Sequence, residues 1–404
     1  MDCDGHDNAL SKPTLNDMQA TLLVEKVFGL RVSEIRSLPS YGDQNFYVKV
    51  QRSEESDDLV TDYVLRISNA YDSQKNAEML EVQTEVMLFL KLKGFPSPAP
   101  CLNKDGQVLS LENIDYGFGL RTHMVRLLTF QLGTELAKCP INAHTLYEVG
   151  RMAALIDKSL HEEFQHPKLK SLYREKFIWK LTNVHMLENF LDVLGESKEK
   201  RVVVDVIQQF KEEIQPNLNK FRPCVNHGDL NDQNILLEPV NTVNGICQEE
   251  NYRISGILDF DDMSYGYYVF ELAVCIMYMM IENKEPILVG GHVLAGFESV
   301  VPLTSDERDA VFLLVNCRFS QSLVMARYNV SLCPENEEYL MITAKTGWKH
   351  LLTLWDMGKE SVEKIWFGIA ESYVNMKKTL TKVPYGASVL TETYRDADSR
   401  SPTV

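Results

Sequence analysis

The hydrophobic period of this chain changes near Gly133, and that change limits its fold more than any other feature. Before it, alternating runs such as Phe46, Val48 and Val50, and the stretch Tyr63 to Ile67, predict strands. One segment, Lys75 to Lys93, predicts a helix with Val82, Val86, Phe89 and Leu90 on or near one stripe and Gly94 closing it. After Gly133 come long helical segments at 143–164, 170–195, 199–219, 266–284, 305–330 and 335–377, broken by one β patch at 233–259. The expectation is an α+β protein of two lobes: a flexible tail at 1–14, a small β-rich lobe with one helix at 15–126, a large mainly helical lobe at 127–383, and a second flexible tail at 384–404. A cleft between two such lobes is where ligands bind.

The run Val225-Asn226-His227-Gly228-Asp229-Leu230-Asn231-Asp232-Gln233-Asn234 leads into the β patch. Its core is His-Gly-Asp, four residues, then Asn, which is the spacing of a kinase catalytic loop. A hydroxyl about to attack a phosphate needs a carboxylate to orient it and take its proton. It also needs a nearby metal ligand to hold the nucleotide phosphates. Asp229 is the expected base, Asn234 a metal ligand, and His227 a brace behind the loop. Downstream, Ile254-Ser255-Gly256-Ile257-Leu258 is an apolar strand that ends in Asp259. That aspartate has the role of a second metal ligand. Mg²⁺ takes hard oxygen ligands and seldom an all-protein cage, so one carboxylate and one amide oxygen, completed by phosphates and water, form a reasonable set.

These residues, with Asp259 to Asp262, resemble the aminoglycoside phosphotransferase family, small-molecule kinases of the protein-kinase-like fold. The runs 263–271, 289–298 and 343–350 resemble the branch that acts on an amino-acid hydroxyl, and the likeness spans roughly residues 15 to 378. It implies transfer of the γ-phosphate of GTP, with ATP as an alternative donor and Mg²⁺ as metal, to the side-chain hydroxyl of 5-hydroxy-L-lysine. It also implies that Ser40 to Phe46, with Gly42, covers the phosphates. Arg66 then stands where the family usually has a phosphate-pairing lysine. Glu81 on the following helix is its expected partner, with Glu85 one turn on as the alternative. The purine is expected against the connector between the lobes, around Leu128.

The chain departs from the family pattern twice. Arg replaces Lys at 66, and Asp-Phe-Asp-Asp replaces Asp-Phe-Gly-Asp at 259–262. Glycine permits backbone angles that aspartate tolerates less well, so added strain is expected at Asp261. The crowded carboxylates should raise at least one pKa when no metal is bound. Residues 263–270 alone separate Asp262 from Glu271, which leaves no room for a peptide-docking segment and favours a small, enclosed acceptor. Asp262 is the best-placed acid for an ammonium group of the acceptor. Arg318, Arg327 and Lys345 are candidates for its carboxylate, each more simply read alone as a solvated charge. A kinase for another amino alcohol, and a catalytically weak nucleotide-binding relative, are the alternative readings.

The formal charge of −16 argues against nonspecific nucleic-acid binding and against docking on anionic membranes. The longest apolar run, Leu272 to Ile281, is far short of a membrane span, and Met1 to Asn8 has no signal-peptide character. Eight cysteines without a Cys-x-x-Cys pair read as reduced thiols, which makes the cytoplasm the expected compartment. Sequence leaves the oligomeric state open.

Overall fold

The computed structural model describes residues 12–40, 42–51, 61–115, 119–240, 252–332, 334, 337 and 341–381. Helix α1 (Asp17–Phe28) starts at Asn16, whose side chain accepts from the Gln19 amide while the Gln19 side chain accepts from that of Asn16. A five-stranded antiparallel sheet follows, built from β1 (Val32–Leu38), β2 (Gln44–Val50), β3 (Asp62–Ile67), β4 (Ser110–Asp115) and β5 (Leu120–Thr129), in the order β1–β2–β3–β5–β4.

The two-residue period of the strands sorts this sheet into two faces. Phe46, Val48, Leu65, Ile67, Val125 and Leu127 form one core with Leu23, Val24 and Val27 of α1. The alternate positions face the other lobe, and there the register sets Arg66 opposite Arg126 and Val64 opposite Leu128. Between β3 and β4 lie α2 (Ala70–Lys75) and α3 (Ala77–Leu92). Helix α3 sends Met79, Val82, Val86 and Leu90 into the core of the helical lobe, so its apolar stripe joins the two halves.

The chain crosses into the second lobe between β5 and β6 (Thr134–Glu135). Strand β6 pairs with β8 (Ile235–Pro239), which pairs with β9 (Tyr252–Ile257). A separate antiparallel pair joins β7 (Pro223–Asn226) to β10 (Ser264–Tyr267). Around them stand α4 (Ala143–Glu163), α5 (Lys198–Gln209), α6 (Tyr268–Met280), α7 (Pro286–Glu298), α8 (Ser305–Leu332), α9 (Ala344–Met357) and α10 (Lys359–Thr381). Every residue of α6 is buried, the apolar run from Leu272 onward and also Glu271 in its first turn. Helices α4 and α7 touch backbone to backbone: a methyl group at Gly150 would lie 2.0 Å from the Val293 carbonyl oxygen.

Several expected boundaries move. The expected lobe boundary after residue 126 falls inside β5, which runs on to Thr129. Residues 12–14, assigned to a flexible tail, are anchored where Lys12 donates to the Ser40 carbonyl at 2.7 Å and Pro13 is buried. The expected helix at 170–195 is two 3₁₀ segments, Leu169–Tyr173 and Leu181–Leu194, because Arg174 takes a left-handed φ of 40°. The helix expected at 199–219 gives way after Gln209 to a π turn and then a 3₁₀ turn that opens on a proline. The helix expected at 335–377 is α9 and α10, divided at Gly358. The expected mobile tail at 384–404 and residues 1–11 lie outside the described residues, as do residues 52–60 between β2 and β3, where the acidic, polar stretch Gln51 to Asp58 reads as a hairpin tip. Among the described residues no helix is long and apolar enough to cross a membrane.

Candidate active site

The loop between β7 and β8 is held from three sides. Below it, Glu271 in the first turn of α6 accepts the Gly228 amide at 3.0 Å. Gly228 has φ +82°, and a methyl group there would lie 2.7 Å from the Asp262 carbonyl oxygen, so glycine is required by both angle and space. Behind the loop, buried His227 contacts the Leu258 carbonyl through Nε2 at 3.0 Å, and its Nδ1 accepts the Asp229 amide at 3.3 Å. These partners select the neutral Nε2–H tautomer. Burial pushes the imidazole pKa down to about 4, so it is uncharged at neutral pH.

The Asp229 carboxylate is fixed at both oxygens. Oδ2 accepts from Asn231 at 2.9 Å and Asn234 at 3.0 Å, and Oδ1 accepts from Arg318 at 3.2 Å. Burial raises its pKa, and Arg318 opposes that shift. Asn234 also donates to the Asp229 carbonyl at 3.0 Å. With its amide NH₂ used twice, its carbonyl oxygen is the atom left for a cation. The β8–β9 register pairs Ile235 with Ile257, and the Leu258 amide donates to the Asn234 backbone carbonyl at 2.8 Å. That register delivers Asp259, just beyond β9, beside Asn234. Asp259 adopts φ 57° and its side chain is half exposed. One free amide oxygen and one exposed carboxylate are the hard donors that Mg²⁺ accepts.

Asp262 is half-buried next to the loop. Burial, and then the charge of Asp229, raise its pKa to about 6, so the expected crowding effect falls on this residue. A narrow cavity lined by Trp179, Lys180, Gly228, Asp262 and Glu271 adjoins it. Arg174 pins the following turn by donating to the carbonyls of Asp261 at 2.7 Å and Met263 at 3.1 Å.

On the sheet side the structure changes the expected pairing. Arg66 does not meet Glu81. Its Nε donates to Asp43 at 2.8 Å, its Nη2 bonds Asp261, and its Nη1 lies 3.8 Å from Asp259. Glu81 points away, to Lys168 at 2.7 Å and His166 at 3.9 Å, and the Glu85 carboxylate lies 3.6 Å from the same imidazole. The helical period explains this: the face of α3 that turns to the site carries Gln83, which donates to the Asp261 carbonyl at 3.0 Å. Gly42 lies in the β1–β2 turn immediately before Asp43, and Leu128 shares the cleft-side face of β5 with Arg126. Asp261 takes no left-handed angle; among the described residues the non-glycine positions with positive φ are Arg174 and Asp259, so the expected strain falls two residues earlier.

Gln83, Arg126 and Glu271 were not foreseen from the sequence as site neighbours, and Asp43, within the turn expected over the phosphates, was not foreseen as the partner of Arg66. Arg318, there one of three candidates for the acceptor's carboxylate, is wholly buried beside Asp229, whereas Arg327 and Lys345 are exposed. Only the three-dimensional path brings α8 and β5 to the loop. The local signal for Glu271 was the short interval after Asp262.

The family model described as the phosphotransferase enzyme family matches residues 34–301. The chain is 55% identical over 365 residues to hydroxylysine kinase of Bos taurus, covering 90% of this chain and 96% of that protein. It is 54% identical to hydroxylysine kinase of Xenopus laevis and 46% identical to that of Danio rerio, each over 90% of this chain, covering 96% and 98% of those proteins. Among solved structures, an amicoumacin kinase aligns with a TM-score of 0.59 at 13% identity, over 83% of this chain and 94% of that one. A microcompartment-associated aminopropanol kinase aligns with a TM-score of 0.57 at 13% identity, over 84% and 98%. The fold is shared at identities where sequence alone carries little.

Proposed function

Because this chain belongs to the phosphotransferase enzyme family, in which it is an alcohol phosphotransferase, we propose that it transfers the γ-phosphoryl group of GTP to the side-chain hydroxyl of 5-hydroxy-L-lysine, giving 5-phosphohydroxylysine and GDP. The supporting observation is the Asp229 carboxylate, oriented by Asn231, Asn234 and Arg318 in the loop between β7 and β8. The choice of acceptor rests on the hydroxylysine kinases to which the chain is similar.

In this reading Asp229 accepts the acceptor's hydroxyl proton as the oxygen attacks the γ-phosphorus. A new O–P bond forms, and the bond to the bridging oxygen breaks with GDP as leaving group. His227 holds the loop and takes no proton. Asn234 and Asp259 would hold Mg²⁺, which neutralises charge on the β- and γ-phosphate oxygens when bound. Arg66 steadies the phosphates, Gly42 belongs to the turn that covers them, and Leu128 with Val64 offers an apolar surface to the purine. Glu81 drops out of the nucleotide site, since Lys168 and His166 engage it. Asp262 faces an ammonium group of the acceptor. The free, buried thiols of Cys224, Cys275 and Cys317 support a cytoplasmic, reducing setting.

The test is a direct phosphorylation assay with 5-hydroxylysine, run separately with GTP and ATP beside a panel of other amino alcohols. GTP-dependent formation of a phosphorylated hydroxylysine is expected. Transfer to a different acceptor alone, or nucleotide binding without transfer to any, overturns the reading.

A further inference from the structure

Arg66 and Arg126 are direct cross-strand partners on the cleft side of the sheet. Like charges directly opposite one another destabilise a sheet, and both side chains are largely withdrawn from water, at 14% and 2% exposed. Burial, and then the charge of Arg66, push the Arg126 pKa down to about 9. The Arg126 Nη1 donates to Thr84 at 3.0 Å, and its buried Nε has no partner among the described residues. Such a pair needs an anion. Asp43 pairs with Arg66 alone, and among the described residues the carboxylate that reaches both guanidinium groups is Asp261, whose Oδ2 bonds Arg66 and whose Oδ1 lies 3.4 Å from Arg126 Nη2.

Asp261 is poorly fixed as a permanent counter-ion. Its side chain is 38% exposed at the edge of the cleft. Its backbone is pinned independently, since its carbonyl accepts from Gln83 at 3.0 Å and from Arg174 at 2.7 Å. The carboxylate can therefore swing away by side-chain rotation alone. Arg66 would stay in place through Asp43, and Arg126 through Thr84.

We infer that Arg66 and Arg126 together form the anion site for the donor's phosphates, and that the Asp261 carboxylate occupies it until a polyphosphate displaces it. This inference rests on the donor reading above and adds two residues to it. Arg126 becomes a phosphate-binding residue, and Asp261 sets donor affinity by competing for the same guanidinium groups. In the resting protein it also relieves their repulsion.

The test uses the full chain, without acceptor, in calorimetric titrations with Mg²⁺ and a non-hydrolysable GTP analogue, with guanosine, and with tripolyphosphate. Asp261→Asn is expected to tighten the analogue and tripolyphosphate about tenfold, the size of one charge-assisted contact, and to leave guanosine unchanged. The ligand-free Asp261→Asn protein should melt earlier than wild type and gain more from the analogue. In an Arg126→Gln background the tightening should largely vanish. If Arg126→Gln does not fold, the single Asp261→Asn titration decides alone. Unchanged or weaker binding of both polyphosphates by Asp261→Asn overturns the inference. Failure of wild type to bind any nucleotide, with tripolyphosphate binding still tightened by Asp261→Asn, overturns the donor reading and leaves the anion site standing.

Discussion

The guanidinium of Arg318 meets the carboxylate of Asp229 across 89 positions of chain, with Nη2 at 3.2 Å from Oδ1. Arg318 is wholly buried and also donates to the Gly228 carbonyl at 3.1 Å, the Tyr278 hydroxyl at 3.1 Å and the Trp179 carbonyl at 2.9 Å. One side chain of α8 thus ties the catalytic loop to α6 and to the segment before the 3₁₀ turn at Leu181. A buried arginine makes its desolvation tolerable only with this many acceptors.

In the proposed mechanism Arg318 is accordingly a positioning residue. Arg318→Lys keeps the charge and loses the planar fork, so it cannot reach all four acceptors. The expected result is a fall in kcat of roughly ten- to a hundredfold with the KM for nucleotide nearly unchanged, because misplacement of the base affects the chemical step. Steady-state kinetics on the soluble variant check this. An unchanged kcat in a folded Arg318→Lys protein removes Arg318 from the mechanism.

Asp229→Asn keeps the size of the side chain and one acceptor oxygen but removes the basic carboxylate. Turnover should fall by roughly 10²–10⁴-fold. Nucleotide affinity, measured by titration, should stay within a few-fold, since Asn234 and Asp259 are untouched. Near-wild-type turnover would refute the assignment of the base.

Much of the candidate site's grouping was readable because its residues lie close together in the chain. Asp229 and Asn234 share one loop, and Asp259 sits one strand away in register, so spacing alone places them. The Arg66 partner was not readable. A helical acid was the natural guess, but Asp43 lies one hairpin upstream and reaches Arg66 only through the β2–β3 pairing. The extent of strand β1 was not readable: its burial follows no two-residue alternation, and its register with β2 shifts between Val32 and Glu34. The π turn after Gln209 and the left-handed Arg174 are set by tertiary packing and leave no period in the sequence.

Gly228 separates two costs that usually arrive together. Gly94 has a similar φ of +86°, but a methyl group there would meet nothing within 4 Å. Gly94→Ala should therefore cost only the left-handed backbone penalty, about 1 kcal/mol of stability, with activity intact. Gly228→Ala adds a contact of 2.7 Å with the Asp262 carbonyl oxygen and must shift the loop. Its melting temperature should fall further, and its kcat should fall at least about tenfold. Equal effects at the two glycines would mean the close approach is unimportant.

The metal assignment can be tested at Asp259 with little disturbance of the backbone. Asparagine tolerates positive φ as well as aspartate does, so Asp259→Asn keeps the 57° angle and removes the charge. The Mg²⁺ concentration for half-maximal transfer should rise roughly tenfold. Asn234→Ala should act in the same direction, and a chelator should abolish transfer in wild type. A variant with an unaltered Mg²⁺ requirement would exclude that residue as a ligand.

Away from the site, Glu307 offers a pH test of the scaffold. Its carboxylate is fully buried and accepts the Arg222 amide at 3.0 Å, the Arg222 guanidinium at 2.6 Å and the Thr304 amide at 2.9 Å, which caps α8 and ties it to the strand leading into the catalytic loop. Burial alone would raise its pKa, but these donors outweigh burial and hold it below its ordinary value of 4.5. A depressed carboxylate contributes stability that is fully present above the unfolded-state value and is lost as pH falls through the folded-state value. Glu307→Gln should therefore lose about 1–3 kcal/mol at pH 7. Its melting temperature should converge on that of wild type as pH falls below the ordinary glutamate value and on through the depressed folded-state value, because wild type then carries a neutral group as well. Thermal melts across that range decide the matter: a gap that stays constant into acid would show that the contact stabilises through packing and not through charge.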